Sequence, residues 1–204
     1  MEIYGGRKLY HFIGYFLKSI LRIFGKIHVY NKQHLPKSGG YVIACTHTGW
    51  VDVLYLGTSL LPTKIHYMVK KELFKNKAIA WLLKKLNAFP VDRENPGPSV
   101  LKIPHSLLFK GEVVGIFPSG TRTNEQVALK QGAIIIALRS KVPIIPAAYI
   151  GPNNLKELFL RKKACLIFGE PIYITATGKE EREHFTSILE EKINALQRNL
   201  QDKK

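Results

Sequence analysis

The chain has 204 residues, 46% of them hydrophobic and 23% charged. This is the composition of a folded globular protein with enough length for a full core in one domain, and not of a disordered chain. The formal net charge is +16, and it is unevenly placed: residues 1–178 hold 25 Lys and Arg against 9 Asp and Glu, whereas residues 179–204 hold six of each. So basic a body implies an acidic partner, namely nucleic acid, anionic lipid or phosphorylated substrates.

Residues 7–24 are rich in Phe, Tyr, Leu and Ile, with Lys18 and Arg22 four apart on one helical face. A spanning helix needs about 18 or more nearly uncharged residues, and Lys18 interrupts this one. There is no small-residue cleavage site of a secretory signal. An amphipathic helix in the membrane interface fits the pattern, and so does a helix docked on the protein's own core.

Residues 25–30 read as a strand and residues 31–40 as a polar loop. Tyr41-Val42-Ile43-Ala44-Cys45 is a short apolar run of buried-strand type. The stretch that follows, Thr46-His47-Thr48-Gly49-Trp50-Val51-Asp52-Val53, leads into an apolar helix. His47 therefore sits where a strand ends and a helix begins, the place where open α/β sheets carry their sites. An imidazole acting as a base must be held in one tautomer, which a nearby carboxylate can do. Asp52 lies five residues on, about 140° around a regular helix. The pair can meet only if His47 precedes the helix or lies in its first irregular turn. Taken alone, the spacing also suits a buried polar histidine and an aspartate that favours the helix dipole.

Residues 64–69 read as a second strand, followed by the basic patch Lys70-Lys71-Glu72-Leu73-Phe74-Lys75 and a helix over residues 78–86. Ala88-Phe89-Pro90-Val91-Asp92-Arg93 is a short strand ending in a charged pair, and residues 95–98 form a loop. Residues 100–109 read as a helix kinked or broken at Pro104. Residues 112–117 form a buried strand that runs into Pro118-Ser119-Gly120-Thr121-Arg122-Thr123. Backbone N–H groups, a hydroxyl and a guanidinium at such a turn suit a phosphate or carboxylate. Residues 131–138 read as a buried helix. Val142-Pro143-Ile144-Ile145-Pro146 begins a strand whose two prolines point to an edge or an end. Short strands follow at 164–168 and 172–174. A capping box from Thr177 to Glu180 opens the last helix. Cys45 and Cys165 lie far apart in apolar runs, the usage of buried thiols in a reducing compartment, and the seven histidines form no metal-ligand cluster.

Four of these stretches, in order, carry a resemblance. His47-x4-Asp52, Phe89-Pro90-Val91-Asp92-Arg93, Phe117-Pro118-Ser119-Gly120-Thr121-Arg122 and Val142-Pro143-Ile144-Ile145-Pro146 resemble the four blocks of the glycerolipid acyltransferases, of the 1-acylglycerol-3-phosphate acyltransferase type. Lys70-Lys71-Glu72-Leu73 is similar to a further segment of that family. The resemblance covers roughly residues 40–175. It implies an α/β fold with a mixed sheet flanked by helices, as one domain over residues 1–204, with residues 1–24 as a membrane-associating helix and residues 40–175 as the catalytic core. It implies transfer of a fatty acyl group from a thioester, on coenzyme A or acyl carrier protein, to a lysophospholipid hydroxyl, without a further cofactor. His47 would be the general base and Asp52 its orienting partner. Lys70, Arg93, Ser119, Gly120, Thr121 and Arg122 would hold the acceptor, and Pro143 and Pro146 would shape the acyl or acceptor pocket. The sequence departs from the family pattern at Ser119, where glutamate is usual, and at Asn87, where glycine is common.

The implied partners are a lysophospholipid, an acyl thioester and an anionic membrane surface on the cytoplasmic side, with peripheral or monotopic attachment and no specific nucleic acid. Three alternatives stay open on the residues. One is a different lysolipid acceptor. The second is a hydrolase with Ser119, His47 and Asp52 as a triad, although Ser119 lacks the Gly-x-Ser-x-Gly elbow; Cys45 is a second candidate nucleophile. The third is a basic lipid- or nucleic-acid-binding protein without activity, which carries no recognisable nucleic-acid motif.

Overall fold

The computed structural model describes residues 7–92, 97–118, 123–175 and 178–203. Within them, β1 (Ile27–Tyr30), β2 (Tyr41–Cys45), β3 (Ile65–Lys70), β4 (Ala88–Val91), β5 (Val113–Ile116), β6 (Ile144–Ile150) and β7 (Ala164–Phe168) make one mixed sheet. Its order is β1-β7-β6-β2-β5-β3-β4. The five strands from β6 to β4 run parallel, while β7 is antiparallel to β6 and carries β1 parallel to itself. The helices are α1 (Arg7–Phe24), α2 (Trp50–Leu60), α3 (Lys77–Lys85), α4 (Ser99–Phe109), α5 (Thr123–Ser140), α6 (Leu155–Phe159) and α7 (Lys179–Asp202), with 3-10 turns at Lys32–His34 and Lys71–Phe74. The expected α/β architecture with helices on both faces is what forms.

The sheet's centre explains the continuous apolar runs. All five residues of β2 are buried, because parallel strands are covered on both faces. Successive side chains alternate between layers. Tyr41, Ile43 and Cys45 enter a core with Leu21 of α1, Val51, Tyr55 and Leu56 of α2 and Leu158 of α6. Val42 and Ala44 enter the opposite core, with Leu107 of α4, Ile134 of α5 and Leu189 of α7.

Several expectations shift. Helix α4 runs through Pro104 without a break; the ring is buried with Leu107 and Leu108, and that burial offsets the single backbone bond a proline removes. Helix α5 starts at Thr123 rather than 131, because its first two turns, TNEQVALK, are too polar to show a helical period. The cap of α7 sits one residue later than the sequence suggests: Gly178 N–H donates to the Glu181 carboxylate at 3.2 Å, and Thr177 lies outside the described residues. The segment at 172–174 makes only an isolated bridge, Ile172 to Ile144. Strand β6 is not at an edge but lies between β7 and β2. It tolerates Pro146 because the ring falls where β7 ends. Gly169 N–H donates to Pro146 O at 2.8 Å, and the reciprocal donor is the one that proline lacks. Asn87 has φ 57°, a left-handed conformation that glycine adopts freely and asparagine tolerates better than most residues. That accounts for the departure from glycine at this position.

Helix α1 is docked along one edge and open along the other. Tyr10 and Leu21 are buried, and the Tyr10 hydroxyl accepts from Ile65 N–H at 3.3 Å. His11 Nε2 lies 2.9 Å from Pro62 O, to which it donates. Leu9, Phe12, Phe16 and Ile23 point outward, with Phe12 71% exposed. Among the described residues no helix is long and apolar enough to cross a membrane.

At the start of β3, Glu112 faces Lys64 at 3.2 Å and the buried His66 at 3.8 Å. His66, and then Lys64, hold the carboxyl down from 4.5 to about 2 against the opposing effect of burial. Its folded value lies below its unfolded one, so the stabilisation is complete above about pH 4.5 and is lost as pH falls toward 2. Glu112→Gln is expected to lower the thermal midpoint at neutral pH and to flatten its dependence on pH across that window. A variant whose midpoint falls with acid as steeply as the parent's would show that other carboxylates dominate.

Candidate active site

The site grows from the end of β2. Thr46 turns its hydroxyl inward, where Oγ1 accepts from Tyr149 N–H at 2.8 Å, and its own N–H donates to Ala147 O at 3.2 Å. The strand's last turn is thus tied to β6. The chain then bends at Thr48 and Gly49, the residue that precedes α2. Gly49 is required here by a close approach: a Cβ on it would lie 2.1 Å from Asn153 O. Gly49→Ala is therefore expected to push the 47–49 turn off the loop before α6. The cost is about 1–3 kcal/mol in a denaturation midpoint, with a loss of activity through the displaced His47. An alanine variant with parental stability would mean that the loop yields freely.

His47 and Asp52 meet, because His47 lies three residues before the first turn of α2. The imidazole Nδ1 is 3.1 Å from Asp52 Oδ1 and 3.2 Å from Oδ2. The Asp52 side chain is fully buried, while 38% of the His47 side chain is exposed. Asp52 Oδ2 also accepts from Thr48 N–H at 2.6 Å, from the Thr48 hydroxyl at 3.3 Å and from Gly49 N–H at 3.1 Å. Asp52 is the third residue of α2, so its carboxylate satisfies orphan donors at the helix start and lies at the positive end of the helix dipole. The same carboxylate fixes the histidine. An ionised carboxylate only accepts, so Nδ1 carries the proton and Nε2 is the basic nitrogen. The ring also packs on Phe117, centroids 4.8 Å apart, and Phe117 stacks on Tyr67 at 5.9 Å. Tyr67 in turn donates its hydroxyl to Val53 O at 2.8 Å. The imidazole is thus held by a charge on one side and an aromatic stack on the other.

The C-terminal ends of the parallel strands place other expected residues at this same edge. Lys70 is the last residue of β3 and pairs in register with Val91. Asp92 follows β4 and is bridged by Lys71. Phe117 follows β5, the neighbour of β2. Arg93, Ser119, Gly120, Thr121 and Arg122 lie outside the described residues. Pro143 and Pro146 are placed differently: Pro143 precedes β6 at the sheet's other edge, and Pro146 pairs with Ala44, three residues before His47. The structure does not bring Pro143 to His47. Cys45 is 1% exposed, and burial, with the Asp52 charge adding to it, pushes its thiol well above the usual range. It is packing, not a nucleophile. Sequence reasoning missed Thr46, Thr48, Gly49 and the ring of Phe117. A polar residue and a glycine around a strand-to-helix histidine, with an acid at the third helical position, were the available signal for the first three.

Residues 26–150 match the family described as Acyltransferase. The chain is 54% identical over 94% of its length to the 1-acyl-sn-glycerol-3-phosphate acyltransferase of Bacillus subtilis, 98% of which is covered. It is 35% identical over 91% of its length to the 1-acyl-sn-glycerol-3-phosphate acyltransferase of Streptococcus pneumoniae, with 71% of that protein covered. The fold is similar to that of the 1-acyl-sn-glycerophosphate acyltransferase PlsC of Thermotoga maritima, with a TM-score of 0.67, 21% identity and coverage of 93% of this chain and 80% of that one.

Proposed function

The chain belongs to the acyltransferase family, and on that premise we propose that it transfers a fatty acyl group from a thioester to the free hydroxyl of 1-acylglycerol-3-phosphate, giving phosphatidate. The observation that carries the reading is the His47–Asp52 pair at the end of β2, with Nδ1 committed to the carboxylate and Nε2 left as the base. Nε2 takes the proton of the acceptor hydroxyl as its oxygen attacks the thioester carbonyl. The carbon–sulfur bond breaks as the tetrahedral intermediate collapses, and the imidazolium returns the proton to the leaving thiolate. Asp52 keeps the tautomer and offsets the imidazolium charge.

The acceptor's phosphate is assigned to Lys70, Arg93, Gly120, Thr121 and Arg122. Two described neighbours support this: Phe117 leaves β5, next to β2, and Asp92 leaves the same end of β4, three strands from β2 and about 14 Å away at ~4.8 Å per strand. Membrane attachment is assigned to α1, whose outward Leu9, Phe12, Phe16 and Ile23 would enter the interface of an anionic bilayer on the cytoplasmic side. Lys18, Arg22 and Lys26 rim a cleft of about 350 Å³ between α1, β1 and α2 and would face the lipid headgroups.

The test is incubation of the purified protein with acyl-CoA or acyl carrier protein thioester and a panel of lysolipids, read by mass. Phosphatidate is the expected product from 1-acylglycerol-3-phosphate. Turnover on another lysolipid alone would overturn the acceptor. An acyl adduct on Ser119 that forms and decays at the rate of turnover would overturn direct transfer.

A further inference from the structure

The exposed apolar side chains are not spread over the molecule. Fifteen large hydrophobic residues are exposed among the described residues. Thirteen of them belong to α1, α2, α3, α6 with the residue after it, or the 3-10 turn before α3, and those segments all cover one face of the sheet. Only Phe109 and Tyr173 belong to segments packed on the other face. A random scatter of surface apolar residues needs no explanation, but a one-sided concentration marks an interaction surface.

We propose that the membrane-docking surface extends beyond α1 to α3 and α6, so that the whole helical layer over α2 rests on an anionic bilayer with His47 at its margin. The proposal rests on the membrane reading of α1 and adds two contacts to it. Helix α3 exposes Ile79, Trp81 and Leu82, with Trp81 63% exposed. It carries Lys77, Lys84 and Lys85 and no acid. Lys85 Nζ lies 5.8 Å from the Trp81 ring centroid. A tryptophan beside lysines is the composition of a headgroup-level anchor. Helix α6 and the residue after it expose Leu155, Phe159 and Leu160, and its one acid, Glu157, is bridged to Lys162 at 2.5 Å.

Both helices are continuous with α1. Phe159 packs edge-on against Phe24, centroids 4.9 Å apart. Ile13 and Leu17 of α1 share an apolar groove with Lys85 and Leu86 at the end of α3. The opposite layer carries α7, within residues 179–204 that hold six acids and six bases, and that neutral segment offers anionic lipid no net attraction. Trp50, half exposed, lies at the start of α2 next to the dyad on the docking side. An acceptor could then reach His47 from the bilayer without crossing bulk water.

The experiment uses the full chain and vesicles of phosphatidylglycerol and phosphatidylcholine. The chain has two tryptophans, so Trp50→Phe leaves Trp81 as the sole reporter. Its emission is expected to shift to the blue on binding and to be quenched by brominated lipid. Leu82→Glu and Leu160→Glu are each expected to lower vesicle partitioning roughly tenfold, whereas Phe109→Glu on the far face leaves it unchanged. Unquenched Trp81 in a bound protein, or parental partitioning of either α3 or α6 variant, overturns the three-helix surface. Phe16→Glu separates the two readings. If it alone weakens binding, α1 acts alone; if it has no effect while the other two variants do, α3 and α6 dock and the reading of α1 fails. No binding by the parent chain overturns both.

Discussion

Replacing His47 with alanine is expected to lower turnover by about 10²–10⁴-fold, the usual contribution of a positioned base, and to leave the thermal midpoint close to that of the parent. The second half follows from the site. His47 is exposed, its ring packs on Phe117, and the donors that share Asp52 remain in place without it. Asp52 then keeps two backbone N–H partners and remains satisfied. The check is single-turnover kinetics alongside circular dichroism melting. Near-parental turnover in a folded variant would remove His47 from the chemistry; a collapsed midpoint would make it a structural residue.

Asp52→Asn is expected to damage both rate and stability. The parent carboxylate accepts from His47 Nδ1, Thr48 N–H, the Thr48 hydroxyl and Gly49 N–H. An amide offers one accepting oxygen and an NH₂ group. If the oxygen serves the backbone donors, the NH₂ faces Nδ1 and forces the proton to Nε2, which destroys the base. If the oxygen serves the imidazole, a buried N–H faces an N–H. The first arrangement costs about 10²-fold or more in rate; the second leaves a buried unsatisfied donor, at about 1–3 kcal/mol, and removes the charge that offsets the imidazolium. Asp52→Ala loses the same rate and leaves the donors unpaired. The pair of variants separates orientation from packing: a rate loss in Asp52→Asn equal to that of His47→Ala, with little further loss in the double variant, is the signature of two residues acting as one unit.

The dyad was legible because its geometry is local. A buried β-branched run, a histidine, a glycine and an acid at the third helical position state a strand-to-helix turn without any tertiary information. The sheet was legible for the same reason, since β2, β3, β5 and β7 are short apolar runs between polar breaks. What could not be read depends on distant partners. Thr46 acts through Tyr149, 103 residues further along, and Gly49 is needed only because Asn153 O arrives opposite it. The interior place of β6 was hidden because two prolines argue against it, and the structure resolves the conflict by ending β7 beside Pro146. The start of α5 was hidden by its polarity. The sequence shows α3 only as a helix over residues 78–86 and gives no sign of α6, and the shared exposed face stays hidden because one-sidedness is a property of the assembled layer and not of any one helix.

The dyad spans five residues, and the bonds from Thr48 and Gly49 to Asp52 span four and three. Closure entropy grows with the logarithm of the loop, so this corner is among the least costly parts of the chain to organise, on the timescale of a single helical turn, about a microsecond or less. The neighbour that stacks on the imidazole follows β5, which must first find β2 across the stretch from Tyr41 to Val113. During folding, the oriented imidazole is therefore expected to exist before there is anywhere for a substrate to sit. Pulse-labelling exchange should show Thr48 and Gly49 amides protected ahead of the β2–β5 ladder, and reactivity arriving only with the slower, non-local step.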